Sequence, residues 1–184
     1  MTNDSLLRLI ETRIAIVAIG ANTLRNQGAR NVVSNTRGFL RQLDLKQFTG
    51  LSASGFRKSL DTQTKKLQKV LPVKARNWGT ARKALNIFLR DVLYSRYLCK
   101  EYGFDRLEPW LEVPLDRDIA RNLREEPEGK DLARWQGVER LERKKSVSYQ
   151  LTAEKIAKRF QIARVHLDLI YWRRDSGLGA YTLS

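Results

Sequence analysis

Apolar residues recur along this chain at three- and four-residue intervals. Leu6, Leu7, Leu9, Ile10, Ile14, Val17 and Ala18 form such a stripe after Asp4 and Ser5, either of which suits an N-cap, and predict a first helix ending at Gly20. A polar stretch over 22–28 separates it from a second predicted helix over 29–43. Phe56, Leu60, Leu67, Val70 and Leu71 outline a third helical region, stopped by Pro72, which cannot donate to a helical ladder. A basic loop over 73–79 leads into the most regular stripe of the chain: Ala81, Leu85, Phe88, Leu89 and Val92. After Gly103 the pattern breaks up through Pro109 and Pro114, and Asp116 stands where an N-cap would open a helix over 117–124. Residues 125–148 are charged, carry Pro127, Gly129 and Gly137, and read as a long loop with a turn of helix in it. Thr152 is placed to cap a run with Ala153, Ile156, Ala157 and Phe160, while Val165, Asp168, Leu169 and Trp172 share a face of a last helix. Nothing alternates as a β-hairpin would, and no segment repeats another. The expectation is an all-α protein, one compact helical domain over 1–184.

Composition narrows the class. Hydrophobic residues make up 42% of the 184 and charges of both signs run throughout, which excludes a disordered or collagen-like chain. The longest apolar run, Ile14 to Ala21, is about one third of what a bilayer crossing needs, so no membrane partner is expected. Asp4 and Glu11 near the start argue against a secretory leader. The single cysteine, Cys99, and single histidine, His166, exclude an internal disulfide, a cysteine zinc cage and a four-cysteine iron–sulfur cluster, and no metal or cofactor is expected. This reads as a monomeric cytoplasmic protein. Its 35 Lys and Arg against 20 Asp and Glu leave a net charge of +15, which points to a polyanion, most economically nucleic acid, but carries no chemistry.

Two segments add the chemistry. Gly79-Thr80-Ala81-Arg82-Lys83-Ala84-Leu85-Asn86-Ile87 opens a helix after a tight basic turn, and Leu111-Glu112-Val113-Pro114-Leu115-Asp116-Arg117-Asp118-Ile119-Ala120-Arg121 opens the next. Together they resemble the signature of the helix-hairpin-helix DNA glycosylase superfamily, whose endonuclease III branch has G-x-G-R-K-x-x-N followed by P-V-D-x-x-[IV]-x-R. The resemblance covers 70–124 in motif detail and the last helix more loosely; the first 70 residues match only in helical character. It puts Lys83 in the place of the nucleophilic lysine and Asp116 in that of the catalytic aspartate. Their separation, 33 positions (116 − 83), is long for endonuclease III and looks like the archaeal 8-oxoguanine glycosylases. Asp168 and Trp172, one helical turn apart, resemble the acidic and tryptophan residues with which that group holds the flipped base.

The resemblance implies a cleft between two helical lobes and a substrate of double-stranded DNA carrying a modified base, oxidised guanine first. It implies base excision with β-lyase activity, and nucleoid association through the DNA. Lys74, Arg76, Gly79, Thr80 and Arg82 are the expected DNA contacts. There are departures: the second hairpin glycine is Ala81, the preceding Leu-Pro-Gly is the longer Leu71-Pro72-Val73-Lys74-Ala75-Arg76, and a histidine common two places after the aspartate is Asp118.

The chemistry accounts for these residue types. Breaking the C1′–N bond builds positive charge on the sugar, which a nearby carboxylate stabilises. A lysine amine attacks C1′ only when neutral, and Arg82 next to Lys83 together with partial burial is expected to disfavour the ammonium. The nucleotide must leave the duplex, so aromatic stacking is expected from Trp172, Trp78 or Trp110, and polar filling of the vacated space from Asn22, Arg25, Asn26 and Gln27, with Asn22 and Gln27 also reading the base. Each residue also has a plainer reading. Lys83 is then a solvated lysine, Asp116 a cap alone, Asp168 the partner of a basic neighbour, Trp172 a core residue, Trp78 an anchor of the turn, and 22–27 a helix connection. His166 is given no role. Two other functions fit the composition: a catalytically silent helix-hairpin-helix DNA-binding protein, and an RNA-directed helical nuclease or toxin, disfavoured because His166 has no recognisable acid–base partner in the pattern.

Overall fold

The computed structural model describes residues 2–20, 23, 24 and 29–175. Its helices are α1 (Asn3–Ala18), α2 (Val32–Arg41), α3 (Ala53–Val70), α4 (Trp78–Tyr94), α5 (Arg96–Tyr102), α6 (Arg117–Glu125), α7 (Arg143–Arg159) and α8 (Leu167–Asp175). Short 3₁₀ turns occupy Leu45–Phe48, Val73–Ala75, Phe104–Trp110, Pro127–Gly129, Val138–Arg140 and Arg164–His166. No strand occurs among the described residues, so the all-α expectation holds. Nor is any helix among them long and apolar enough to cross a membrane.

Local chemistry sets most boundaries. Thr2, rather than Asp4 or Ser5, caps α1: its hydroxyl accepts the Ser5 amide at 3.3 Å. Ser52 caps α3, Asn77 caps α4 by accepting the Thr80 amide at 2.8 Å, and Asp116 caps α6 as expected. α3 stops at Val70 because Leu71 precedes a proline and is extended, with φ −68° and ψ 146°. α5 ends on Gly103 at φ 62°, a left-handed C-terminal position that suits glycine. Of the stretch expected to be irregular after Gly103, Phe104–Trp110 forms a 3₁₀ turn that buries Phe104 and Leu107, while 111–116 is irregular as expected. α7 begins at Arg143, inside the segment expected to be loop, so Thr152 lies buried in mid-helix and caps nothing. The core-facing residues of its first turns are Ser146, Tyr149 and Gln150, which hide the helical period behind polar side chains.

The buried side chains form two clusters. The first gathers α1–α5 around Phe48, Phe56, Leu60, Leu67, Phe88 and Phe104, and the α4 stripe read from the sequence is buried throughout. The second gathers α6–α8 around Val113, Leu115, Ile119, Leu123, Tyr149, Ile156, Leu167 and Tyr171. Each fully buried leucine or phenylalanine stabilises the fold by roughly 1.5–3 kcal/mol. α8 turns Leu167 and Tyr171 inward and leaves Leu169 50% and Trp172 65% exposed; Val165, expected to share their face, lies in the 3₁₀ turn before the helix and is buried.

The chain crosses between clusters at Glu112, with Leu111 in the first and Val113 in the second. Residues 111–116 have no helical ladder of their own. Side chains take up backbone groups here instead: Arg164 donates to the carbonyls of Leu111 at 3.0 Å and Trp110 at 2.9 Å, and the Gln150 amide brackets Val113 on both its N–H and its C=O.

Candidate active site

α4 presents adjacent residues about 100° apart, so Arg82 and Lys83 leave the helix in different directions. Arg82 turns inward and is 4% exposed. Its guanidinium meets Glu112 through Nε at 2.8 Å and Nη2 at 2.9 Å, while Nη1 reaches Asp61 at 3.0 Å and Thr64 at 2.9 Å. Asn86, one turn on, donates to the same Glu112 carboxylate at 3.0 Å. Burial alone would raise the Glu112 carboxyl, but the charge and hydrogen bonds of Arg82, with Asn86 and Arg164, hold it below the ordinary carboxylate range. Two expectations for Arg82 are thereby corrected. It is neither a DNA contact nor a free cation beside Lys83, because its charge is spent inside the protein on Glu112 and Asp61.

Lys83 turns the other way. Its Nζ lies 3.3 Å from Asp116 Oδ2 and donates to the carbonyl of Thr23 at 3.2 Å, and its side chain is only 12% exposed. Thr23 is held in turn by the end of α1, its hydroxyl donating to the Ala18 carbonyl and accepting the Gly20 amide. Asp116 divides its carboxylate: Oδ1 accepts the amides of Asp118 at 3.1 Å and Ile119 at 3.0 Å, capping α6, and Oδ2 is left for Lys83. The cap fixes the carboxylate at the N-terminal end of α6. One side chain thus caps α6 and still turns an oxygen toward Lys83.

Both groups line a concavity of about 970 Å³, at the upper end of ligand-site volumes. Arg117, Arg121, Arg124 and Arg134 stand around it, exposed, and Trp135 forms an aromatic wall, braced edge-on against Tyr149 at 5.6 Å between ring centres. Sequence reasoning missed Trp135, which falls in a stretch that reads as a long charged loop. The available signal was an isolated tryptophan two residues before Gly137, whose φ of 104° bends the chain there.

Other predicted residues fall elsewhere. Gly79 and Thr80, expected as DNA contacts, are buried. A Cβ on Gly79 would lie 2.0 Å from the Val138 carbonyl oxygen and 2.7 Å from Leu141 Cβ, so this glycine serves close packing of α4 against 138–141. Gly79→Ala is expected to lower stability by about 1–3 kcal/mol through overpacking against backbone, read as a reduced urea midpoint with unchanged slope. Lys74 and Arg76 are exposed at the turn between α3 and α4, Arg76 also donating to the Leu71 carbonyl at 3.2 Å. Asp168 pairs with Arg90, seven residues along α4 from Lys83, and neither Asp168 nor Trp172 lines the concavity; the expected base-holding pair is thus not assembled beside Lys83. Trp78 lies against Arg82, 5.1 Å from ring centre to guanidinium, and Trp110 packs on Phe56, so neither stacks in the concavity. Asn22, Arg25, Asn26 and Gln27 lie outside the described residues. His166 holds Tyr94 by Nδ1 and Glu108 by Nε2, each at 2.8 Å, which leaves no ring nitrogen for a reacting atom.

Compared with protein-family models, curated proteins and solved structures, the chain matches none of them.

Proposed function

We propose that the protein is a DNA glycosylase with associated β-lyase activity, acting on a modified base turned out of duplex DNA, with oxidised guanine the first substrate to test. The observation that carries this reading is the approach of Lys83 Nζ to Asp116 Oδ2, 3.3 Å, at a concavity lined by four arginines together with Asp118, Glu125 and Glu139. An amine and a helix-capped carboxylate in contact supply a nucleophile, a proton acceptor for it, and a fixed negative charge for a cationic sugar. The spacing of these two residues in the helix-hairpin-helix signature supports the same assignment. Arg124 and Arg134 are suited to the phosphates on either side of an extruded nucleotide, while Arg117 and Arg121 also face Asp118 at 3.5 and 3.6 Å.

The test is a panel of duplexes, each with one modified base, incubated with the protein and resolved after alkali. Strand scission at the modified position is expected in at least the oxidised-guanine duplex. If no duplex in the panel is cut while all are bound, the protein is a silent DNA-binding protein and the glycosylase reading fails.

A further inference from the structure

We propose a second nucleic-acid contact, a groove beside the hairpin that takes the sugar–phosphate backbone of duplex DNA outside the lesion site. It rests on the DNA reading above but not on the chemistry of Lys83. The groove, about 590 Å³, runs between α3 and residues 136–145, with Trp78 and the buried Leu141 against it and Lys65, Arg140 and Lys145 lining it.

The cations come from segments remote in sequence and converge on one hollow. Lys65 and Arg140 are exposed and make no ion pair among the described residues, and Lys145, half-buried, donates to Gln136 at 3.1 Å. Arg143, at the same edge, is different: it is tied to Asp61 at 2.6 Å and braces the buried network. Glu139 and Glu142 also line the groove, and Glu139 lines the Lys83 concavity as well, so the two hollows adjoin across the turn Val138–Arg140. That turn packs its Val138 carbonyl against the hairpin glycine and carries Arg140 outward. Gly79 is buried beneath it, so on this face a phosphate would be met by the side chains of the groove and not by the backbone at the glycine. Side-chain bonds to phosphate position a duplex without reading its sequence.

Binding to an undamaged duplex, measured across salt concentration, tests this. Three phosphates neutralised in the groove contribute about −2.7 to the slope of log K against log salt, at about −0.9 each. The variant Lys65→Gln/Arg140→Gln/Lys145→Gln is expected to lose that much slope. A matched variant, Lys46→Gln/Lys100→Gln/Lys155→Gln, removes equal charge from exposed lysines that do not line the groove and is expected to keep it. An unchanged slope in the groove variant, an equal loss in the matched one, or no duplex binding by the wild type overturns the proposal. A groove variant with wild-type slope that still cuts a lesion duplex overturns the groove alone. A wild type that binds steeply yet releases no base from any lesion duplex overturns the glycosylase reading alone.

Discussion

Lys83→Ala protein mixed with borohydride and a lesion-bearing or abasic duplex is expected to give no covalent protein–DNA adduct, whereas the wild type is expected to accumulate one. On the proposed function, Lys83 would pass a proton to Asp116 Oδ2, 3.3 Å away, and the lone pair so freed would form the bond to C1′ as the electron pair of the C1′–N bond leaves with the base, which takes that proton from Asp116. The bound nitrogen would then give a proton to the ring oxygen as the C1′–O4′ bond opens, leaving the protonated imine that borohydride reduces to a stable amine. Loss of a C2′ proton from that imine would expel the 3′ phosphate, which is the lyase step. Asp116→Asn separates the roles of the aspartate, because asparagine is as good an N-cap and keeps α6 in place while removing the charge. Base release by that variant is expected to fall by about 10²–10³, the range for loss of one preorganised electrostatic group. An undiminished adduct with Lys83→Ala sinks the lysine assignment. If Lys83→Ala still frees the base and Asp116→Asn does not, water is the nucleophile and Asp116 its base. A wild type that never forms an adduct leaves Lys83–Asp116 as a strut between the two buried clusters.

What the sequence made legible follows the physics of each residue. The stripe from Ala81 to Val92 was readable because its apolar letters keep helical spacing, and Asp116 because a capping aspartate is a local signal. The start of α7 was not, since Ser146, Tyr149 and Gln150 present polar letters on the face that packs inward. The direction of Arg82 was equally hidden. Its charge looked like part of the phosphate-attracting field, and only the tertiary approach of Glu112 and Asp61 makes it an interior residue. The resemblance points Gly79 at a phosphate because the family signature has a glycine there; the neighbour that requires it, Val138, lies 59 positions away (138 − 79). Long-range partners of this kind leave no mark on local pattern.

The pairing of Arg82 with Glu112 also yields the largest stability effect. Glu112→Ala is expected to destabilise the fold by about 3–5 kcal/mol, because it leaves the guanidinium of Arg82 buried with only Asp61 and Thr64. For a chain of this size that is a fall of roughly 6–20 °C in melting temperature. The sign of the pH dependence follows from the lowered carboxyl of Glu112. A group depressed in the native state contributes stability above its unfolded value, about pH 4.3, and loses it as pH falls through the lower native value. Glu112→Gln, which keeps the shape but not the charge, should therefore be clearly less stable than wild type at pH 7, with the gap closing below about pH 4. Urea unfolding at both pH values reads this directly, and a gap independent of pH rules the ionised pair out as its source. The pair stands one residue before Lys83 and four before Asp116, joining α4 to the segment that carries the aspartate. Replacing both partners, Arg82→Met with Glu112→Leu, removes the buried charges together and is expected to recover most of the stability. If the recovered protein also traps DNA as well as wild type, the pair is structural; if it is stable but slow to trap, Arg82 and Glu112 hold Lys83 and Asp116 in register.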